Sequence, residues 1–235
     1  MHVNMTDLAA ISLLTSVIIG TQVHNSELSS DSLDTVSDDV TLPCQYEGPE
    51  WPQECQFGIN VEVYNPGAHP NSTFASLEQA ILAADAITPY GCVEIVEGQY
   101  SENVALTGIN DVTIFGRGDN TIINGSMAFG DFSNLHLAKF SIDSAQGSNT
   151  SGIVLVGGSH AQIDRVRISN SRGTGLFVAD SSDISIHHIV SRDSGQTIYG
   201  SGIAIYSSNS VNIECNTTHA NHGQGIDIDS SSQIL

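Results

Sequence analysis

Arg172, Tyr199 and His222 each stand three residues before a glycine that opens the same short phrase: Gly175-Leu-Phe-Val, Gly202-Ile-Ala-Ile and Gly225-Ile-Asp-Ile. An arginine can neutralise a carboxylate, and a tyrosine and a histidine can exchange protons. Those are the tasks of β-elimination or C5-epimerisation at a uronate sugar: neutralise the carboxylate, take the C5 proton, then return a proton or protonate the leaving oxygen. The spacing predicts Arg172, Tyr199 and His222 as a catalytic set once the glycine phrases lie one above another. On that register two outward columns, Val154/Phe177/Ala204/Asp227 and Val156/Ala179/Tyr206/Asp229, offer Phe177, Tyr206, Asp227 and Asp229 as substrate contacts. Asp227 and Asp229, with Ser230 beside them, also offer oxygen ligands to calcium, or the paired carboxylates of a glycoside hydrolase.

What must position these residues is a repeat. The phrases open at Gly152, Gly175, Gly202 and Gly225, spaced 23, 27 and 23 residues apart. Each is followed by a second apolar pair or its start: Ala161/Ile163, Ile184/Ile186, Val211/Ile213 and Ile234. A period in the twenties with short alternating strands predicts an all-β solenoid, a parallel β-helix. Alternation then turns Ile153, Leu176, Ile203 and Ile226 inward, together with Leu155, Val178, Ile205 and Ile228. Earlier strand-like runs at 93–96, 104–106, 112–114 and 121–123 extend the pattern towards the N-terminus. Before them, residues 73–87 are expected to form an amphipathic helix with Phe74, Leu77, Ile81 and Ala84 on one face and Ser72 or Thr73 as its cap. A solenoid exposes its core at its ends, and this helix is placed to close one of them.

A further column gathers at the bend after the second apolar pair: Lys139, Arg165, His188 and Cys215, beside Ala138, Asp164, His187 and Glu214. It offers either neutralising charge for a polyuronate or internal ion pairs, for example Arg165 with Asp164 or Glu214. Nucleophile-elbow, phosphate-loop, zinc-protease and paired CxxC motifs are missing from the sequence.

Composition sets limits. Acidic side chains number 26 against 6 basic ones, a net charge of -20, and no Lys or Arg precedes Arg117. That balance excludes nucleic-acid binding, which needs basic patches. Residues 1–23 are expected to be a secretory leader. Their apolar run at 8–20 suits a signal core and is too short to span a membrane, although no basic residue flanks it. Residues 24–41 are expected to be an acidic disordered linker. Residues 42–72 are expected to be a small segment in which Cys44 and Cys55 bracket a Pro-rich loop that a disulfide could close. Residues 73–235 are the β-helix, expected to continue past Leu235 or to have its open end covered by a partner chain. Cys92 and Cys215, about five coils apart, are expected to be core or turn residues. The leader places the protein in a secreted, periplasmic or cell-surface setting.

The helix Ser76-Leu-Glu-Gln-Ala-Ile-Leu-Ala-Ala-Asp-Ala, the phrase Glu97-Gly-Gln-Tyr-Ser-Glu-Asn-Val-Ala-Leu106 and the glycine-phrase coils together resemble the right-handed parallel β-helix proteins of the pectate lyase-like superfamily. The resemblance covers roughly 72–235. It implies the fold, and a function among lyases, hydrolases, epimerases, esterases, phage spikes and adhesins. Gly175-Leu-Phe-Val-Ala-Asp180 and Asn221-His-Gly-Gln-Gly-Ile226 are also similar to the catalytic modules of alginate C5-epimerases, whose Asp-Pro-His motif is absent here. Gly225-Ile-Asp-Ile-Asp-Ser resembles part of the polygalacturonase motif, with Gln224 where that family has Asp. The expected function is therefore elimination or epimerisation on an acidic polysaccharide. The alternatives are a non-catalytic, glycan-binding or structural surface β-helix, and a polygalacturonase-like hydrolase.

Overall fold

The computed structural model describes residues 60–63, 74, 76–143, 150–196 and 200–235. The expected leader, the expected linker and the expected Cys44–Cys55 bridge fall outside them. Three parallel sheets wind into about six coils. The first sheet stacks eight strands, from β1 (Asn60–Val63) and β2 (Gly91–Ile95) to β17 (Asn209–Glu214) and β20 (Ser232–Ile234). The second stacks six strands from β3 (Gly98–Tyr100) to β18 (Thr217–His219), and the third six from β4 (Asn103–Thr107) to β19 (Ile226–Asp229). After β2 each coil contributes one strand to each sheet in turn.

The register is the one that the glycine phrases predict. Met127, Ile153, Leu176, Ile203 and Ile226 pair in line, as do Phe129, Leu155, Val178, Ile205 and Ile228. Facing them from the first sheet, Leu135, Ala161, Ile184 and Val211 follow one another, with Leu137, Ile163, Ile186 and Ile213 two residues on. These columns meet in one core in which Ile153, Leu155, Ile163, Leu176, Val178, Ile186, Ile203 and Ile205 are fully buried. Each such side chain contributes about 1.5–3 kcal/mol of transfer free energy. In the last coil the inward Ile226 and Ile228 are 41% and 44% exposed.

The helix α1 is shorter than expected, Leu77–Asp85, because Ser76 rather than Ser72 or Thr73 caps it: the Gln79 N–H donates to Ser76 Oγ at 3.2 Å. Leu77, Ala80, Ile81 and Ala84 are buried, and Phe74 packs on the core from just outside the helix. Two carboxylates pin the helix to the coils: Glu102 accepts from the Leu77 N–H at 2.8 Å, and Asp85 from the Asn110 N–H at 2.7 Å. Gly91 is required here, since a Cβ on it would collide with the Ala84 backbone.

Corners repeat as faithfully as strands. Lys139, Arg165, His188 and Cys215 all adopt left-handed backbone, as do Asp131, Asp180, Ser207 and Ser230 at the next corner type, with φ between 48° and 57°. Residues other than Gly, Asn and Asp resist this region. Ladder bonds hold the conformation: the Lys139, Arg165 and His188 N–H groups donate to the carbonyls of Asp164, His187 and Glu214 in the next coil, at 3.2, 3.2 and 3.3 Å. A hydroxyl ladder runs beside the second corner. Ser181, Ser208 and Ser231 each accept an N–H from the coil below and donate back to the carbonyl two residues earlier in their own coil.

Cys92 and Cys215 correct one expectation: both are disulfide-bonded, not plain core or turn thiols. They belong to β2 and to the corner after β17, five layers apart in the first sheet, or about 24 Å, so they do not bond each other.

Candidate functional site

On the outer face of the third sheet, Phe177 and Ala204 pair directly, as do Ala179 and Tyr206. The four form a square with the aromatic rings on one diagonal and the alanines on the other. Small side chains at Ala179 and Ala204 let the rings lean together, and both alanines end up buried, at 5% and 1% exposure. The ring centroids of Phe177 and Tyr206 lie 5.6 Å apart with the planes inclined at 36°, within the range of favourable aromatic pairs. One coil on, Asp227 and Asp229 pair with Ala204 and Tyr206. The Tyr206 hydroxyl crosses the diagonal and donates to Asp227 Oδ2 at 2.6 Å, a short charge-assisted bond. Burial, that bond, and the charges of Asp227 and Asp229 all push the Tyr206 phenol above its usual value. Its proton stays on oxygen at neutral pH. Phe177, Tyr206 and Asp227, expected from sequence as substrate contacts on adjacent outward columns, form one half-exposed cluster. The hydroxyl of Ser230 donates to Asp229.

The expected catalytic column is rearranged by an insertion. The Gly195 N–H donates to the carbonyls of Ser171 and Gly173, and the His222 N–H donates to that of Ser194. Arg172, Gly195 and His222 therefore follow one another from coil to coil. The four residues that lengthen this repeat from 23 to 27 lie between Gly195 and Gly200; a Cβ on Gly195 would collide with the Gly200 backbone, and one on Gly200 with the backbone of Gly173. Counting back from Gly202 places Tyr199 in that insertion, and Tyr199 lies outside the described residues. Arg172 is half-buried and His222 exposed, two layers or about 10 Å apart.

Calcium takes six to eight oxygens. Asp227 is engaged by Tyr206, and no group of three or more His, Cys, Asp or Glu among the described residues is arranged around a common metal position.

At the bend after the first sheet, Asp164 is the centre. It is 6% exposed and meets Arg165 Nε at 3.5 Å and His188 Nδ1 at 3.2 Å. Glu214 lies 3.7 Å from His187 rather than near Arg165. Burial holds His187 below its usual value against the opposing pull of Glu214 and Asp164, and burial does the same to His136. The column forms internal ion pairs, as one of the two sequence expectations had it.

A groove of about 540 Å³ follows the corner after the third sheet, lined by Asp131, Phe132, Gly157, Asp180, Ser207 and Asn209. The sequence pattern offers neither Asp131 nor Asp180 as a site residue, although Asp180 closes the epimerase-like phrase that opens at Gly175. The signal available was their shared place directly after each third-sheet strand, where left-handed backbone favours Asp, Asn and Gly.

Residues 122–235 match the family model described as a right handed beta helix region. No curated protein matches the chain by sequence. Among solved structures, the A-module of the mannuronan C-5 epimerase AlgE4 of Azotobacter vinelandii is similar, with a TM-score of 0.58 and 20% identity. The match covers 68% of this chain and 54% of that one, so the chain spans about half of the module's length. Family match and structural likeness agree on the fold: the chain is a right-handed parallel β-helix. No described helix is long and apolar enough to cross a membrane.

Proposed function

We propose that this right-handed β-helix is a carbohydrate-recognising protein that takes a glycan on the outer face of its third sheet, centred on Tyr206. The observation that carries this is the square of Phe177, Tyr206, Ala179 and Ala204 with the Asp227 carboxylate at its edge. Tilted rings offer an apolar platform to the flat face of a sugar, and a carboxylate beside them accepts from its hydroxyls. A solved structure of like fold bears the name of a polysaccharide epimerase, which favours carbohydrate as the ligand class. Two disulfide-bonded cysteines suit an extracytoplasmic setting, where polysaccharide is met. The test is binding of oligosaccharides to the intact chain and to Phe177→Ala and Tyr206→Ala. Each substitution should weaken binding about tenfold or more, and unchanged affinity in both rejects the platform.

A second reading is elimination or epimerisation of a uronate polymer, with Arg172 neutralising the carboxylate and Tyr199 and His222 moving protons. It is favoured by the corner that carries both Arg172 and His222 next to the sugar platform. Incubation with alginate and polygalacturonate, followed by absorbance of the unsaturated product and by NMR of C5 configuration, tests it. The reading predicts activity that falls at least 100-fold in His222→Ala and in Tyr199→Phe; no change in any uronate polymer overturns it.

A further inference from the structure

Building on the glycan-binding reading, we infer that the sugar taken by the Phe177–Tyr206–Asp227 face carries no carboxylate: the ligand is a neutral glycan rather than a polyuronate. The distribution of charge leads there. The whole sequence holds six basic side chains of Lys and Arg: Arg117, Lys139, Arg165, Arg167, Arg172 and Arg192. Five of them belong to the first and second sheets or the corner between them. Four of these face an acidic neighbour there: Arg117 and Glu94 at 2.7 Å, Arg165 and Asp164 at 3.5 Å, Arg167 and Asp119 at 3.1 Å, Arg192 and Asp193 at 4.0 Å. Arg172 alone approaches the third sheet, at the corner before Phe177, and it is half-buried. Against it stand Asp227 and Asp229 on the face itself and Asp131 and Asp180 along its far corner.

Hydrogen-bond polarity agrees. An ionised carboxylate only accepts. Asp227 receives the Tyr206 hydroxyl and keeps further lone pairs for a ligand, and Asp229 is exposed. Sugar hydroxyls donate to such groups. A uronate carboxylate is itself acceptor-only, so it meets these groups with no proton between them. The platform runs through three consecutive coils, about 10 Å, long enough to touch more than one ring. A polyuronate presents a charge on every ring, so register shifts offer no escape from the aspartates.

The test is calorimetric titration of the full chain with neutral gluco-, manno- and galacto-oligosaccharides and with oligomannuronate and oligogalacturonate, at low and at physiological salt. The expected result is that at least one neutral series binds at least about tenfold more tightly than either uronate at low salt. Salt should narrow the gap by screening, and Asp227→Asn, which removes a charge and supplies a donor, should narrow it further. Uronate affinity equal to or above that of every neutral series overturns the inference while leaving glycan binding intact. Failure of all sugars to bind overturns the glycan-binding reading and this inference with it.

Discussion

The outer faces of the first and third sheets are built on the same ladder and do opposite things with it. The first carries the buried Asp164 and His187, with His136 and the two disulfide-bonded cysteines, and Asp164 pairs with Arg165 and His188 at its edge. The third carries two half-exposed aromatic rings over two buried alanines, with the half-exposed Asp227 and the exposed Asp229 beside them. On the first face the Asp164 carboxylate is spent on internal pairing with Arg165 and His188, and His136 Nε2 and Asn212 Oδ1 are buried away from any hydrogen-bond partner. Polar groups on the third face retain capacity for an outside partner. The position of a polar residue in the repeat therefore says little about its role, and its degree of internal satisfaction says more.

The largest test of this contrast is Asp164→Ala. It strips the partner from both Arg165 and His188 and should cost about 3–5 kcal/mol, read as a lowered urea midpoint. The equivalent cut on the third face, Asp227→Ala, removes one half-exposed bond and should cost about 1 kcal/mol. Equal costs would erase the distinction. Next in size is reduction of the disulfides. Each bond held by Cys92 and Cys215 should contribute about 2–4 kcal/mol, and non-reducing peptide mapping should find both cysteines linked but never to each other. A free thiol at either position would remove the cysteines from the first-face inventory.

The pH dependence should separate the faces next. His136 and His187 are held below their usual values by burial, so the unfolded chain takes up protons that the folded chain refuses. Their share of stability is full above about pH 6.5 and is lost as pH falls through that point. Tyr206 is displaced the other way. Its share is full below about pH 10 and is lost as pH rises beyond it. Melting temperatures across this range should show an acid limb reduced by His187→Gln and an alkaline limb reduced by Tyr206→Phe; exchange of those effects would contradict the assignment. The smallest expected effect is on stability in Tyr206→Phe at neutral pH, about 1 kcal/mol, since the ring and its packing on Phe177 survive.

Much of this was legible in the sequence because a parallel stack copies one register through every layer. The glycine phrases fixed which residues pair in the third sheet, and that alone brought Phe177, Tyr206 and Asp227 near one another. The diagonal lean of Tyr206 was not legible, because it depends on Ala179 and Ala204 being too small to fill the square. The Arg172/Tyr199/His222 column failed as a count for a physical reason: the extra residues enter after Gly195, so the ladder follows the second sheet's spacing on one side of the insertion and the glycine's on the other. Cys92 and Cys215 were misjudged because their separation excludes mutual pairing only, and says nothing against other partners.

The insertion between Gly195 and Gly200 has one more consequence. Strand pairing before and after it keeps the same register as in the shorter coils, so the extra residues leave the columns of the strands undisturbed. Such a position is a port in the repeat, where the chain can be lengthened or exchanged without repacking the core. It opens beside Arg172 and His222, at the head of the third-sheet face. Descendants of this sequence are therefore free to change what the face recognises by altering a single loop, while the solenoid beneath it stays as it is.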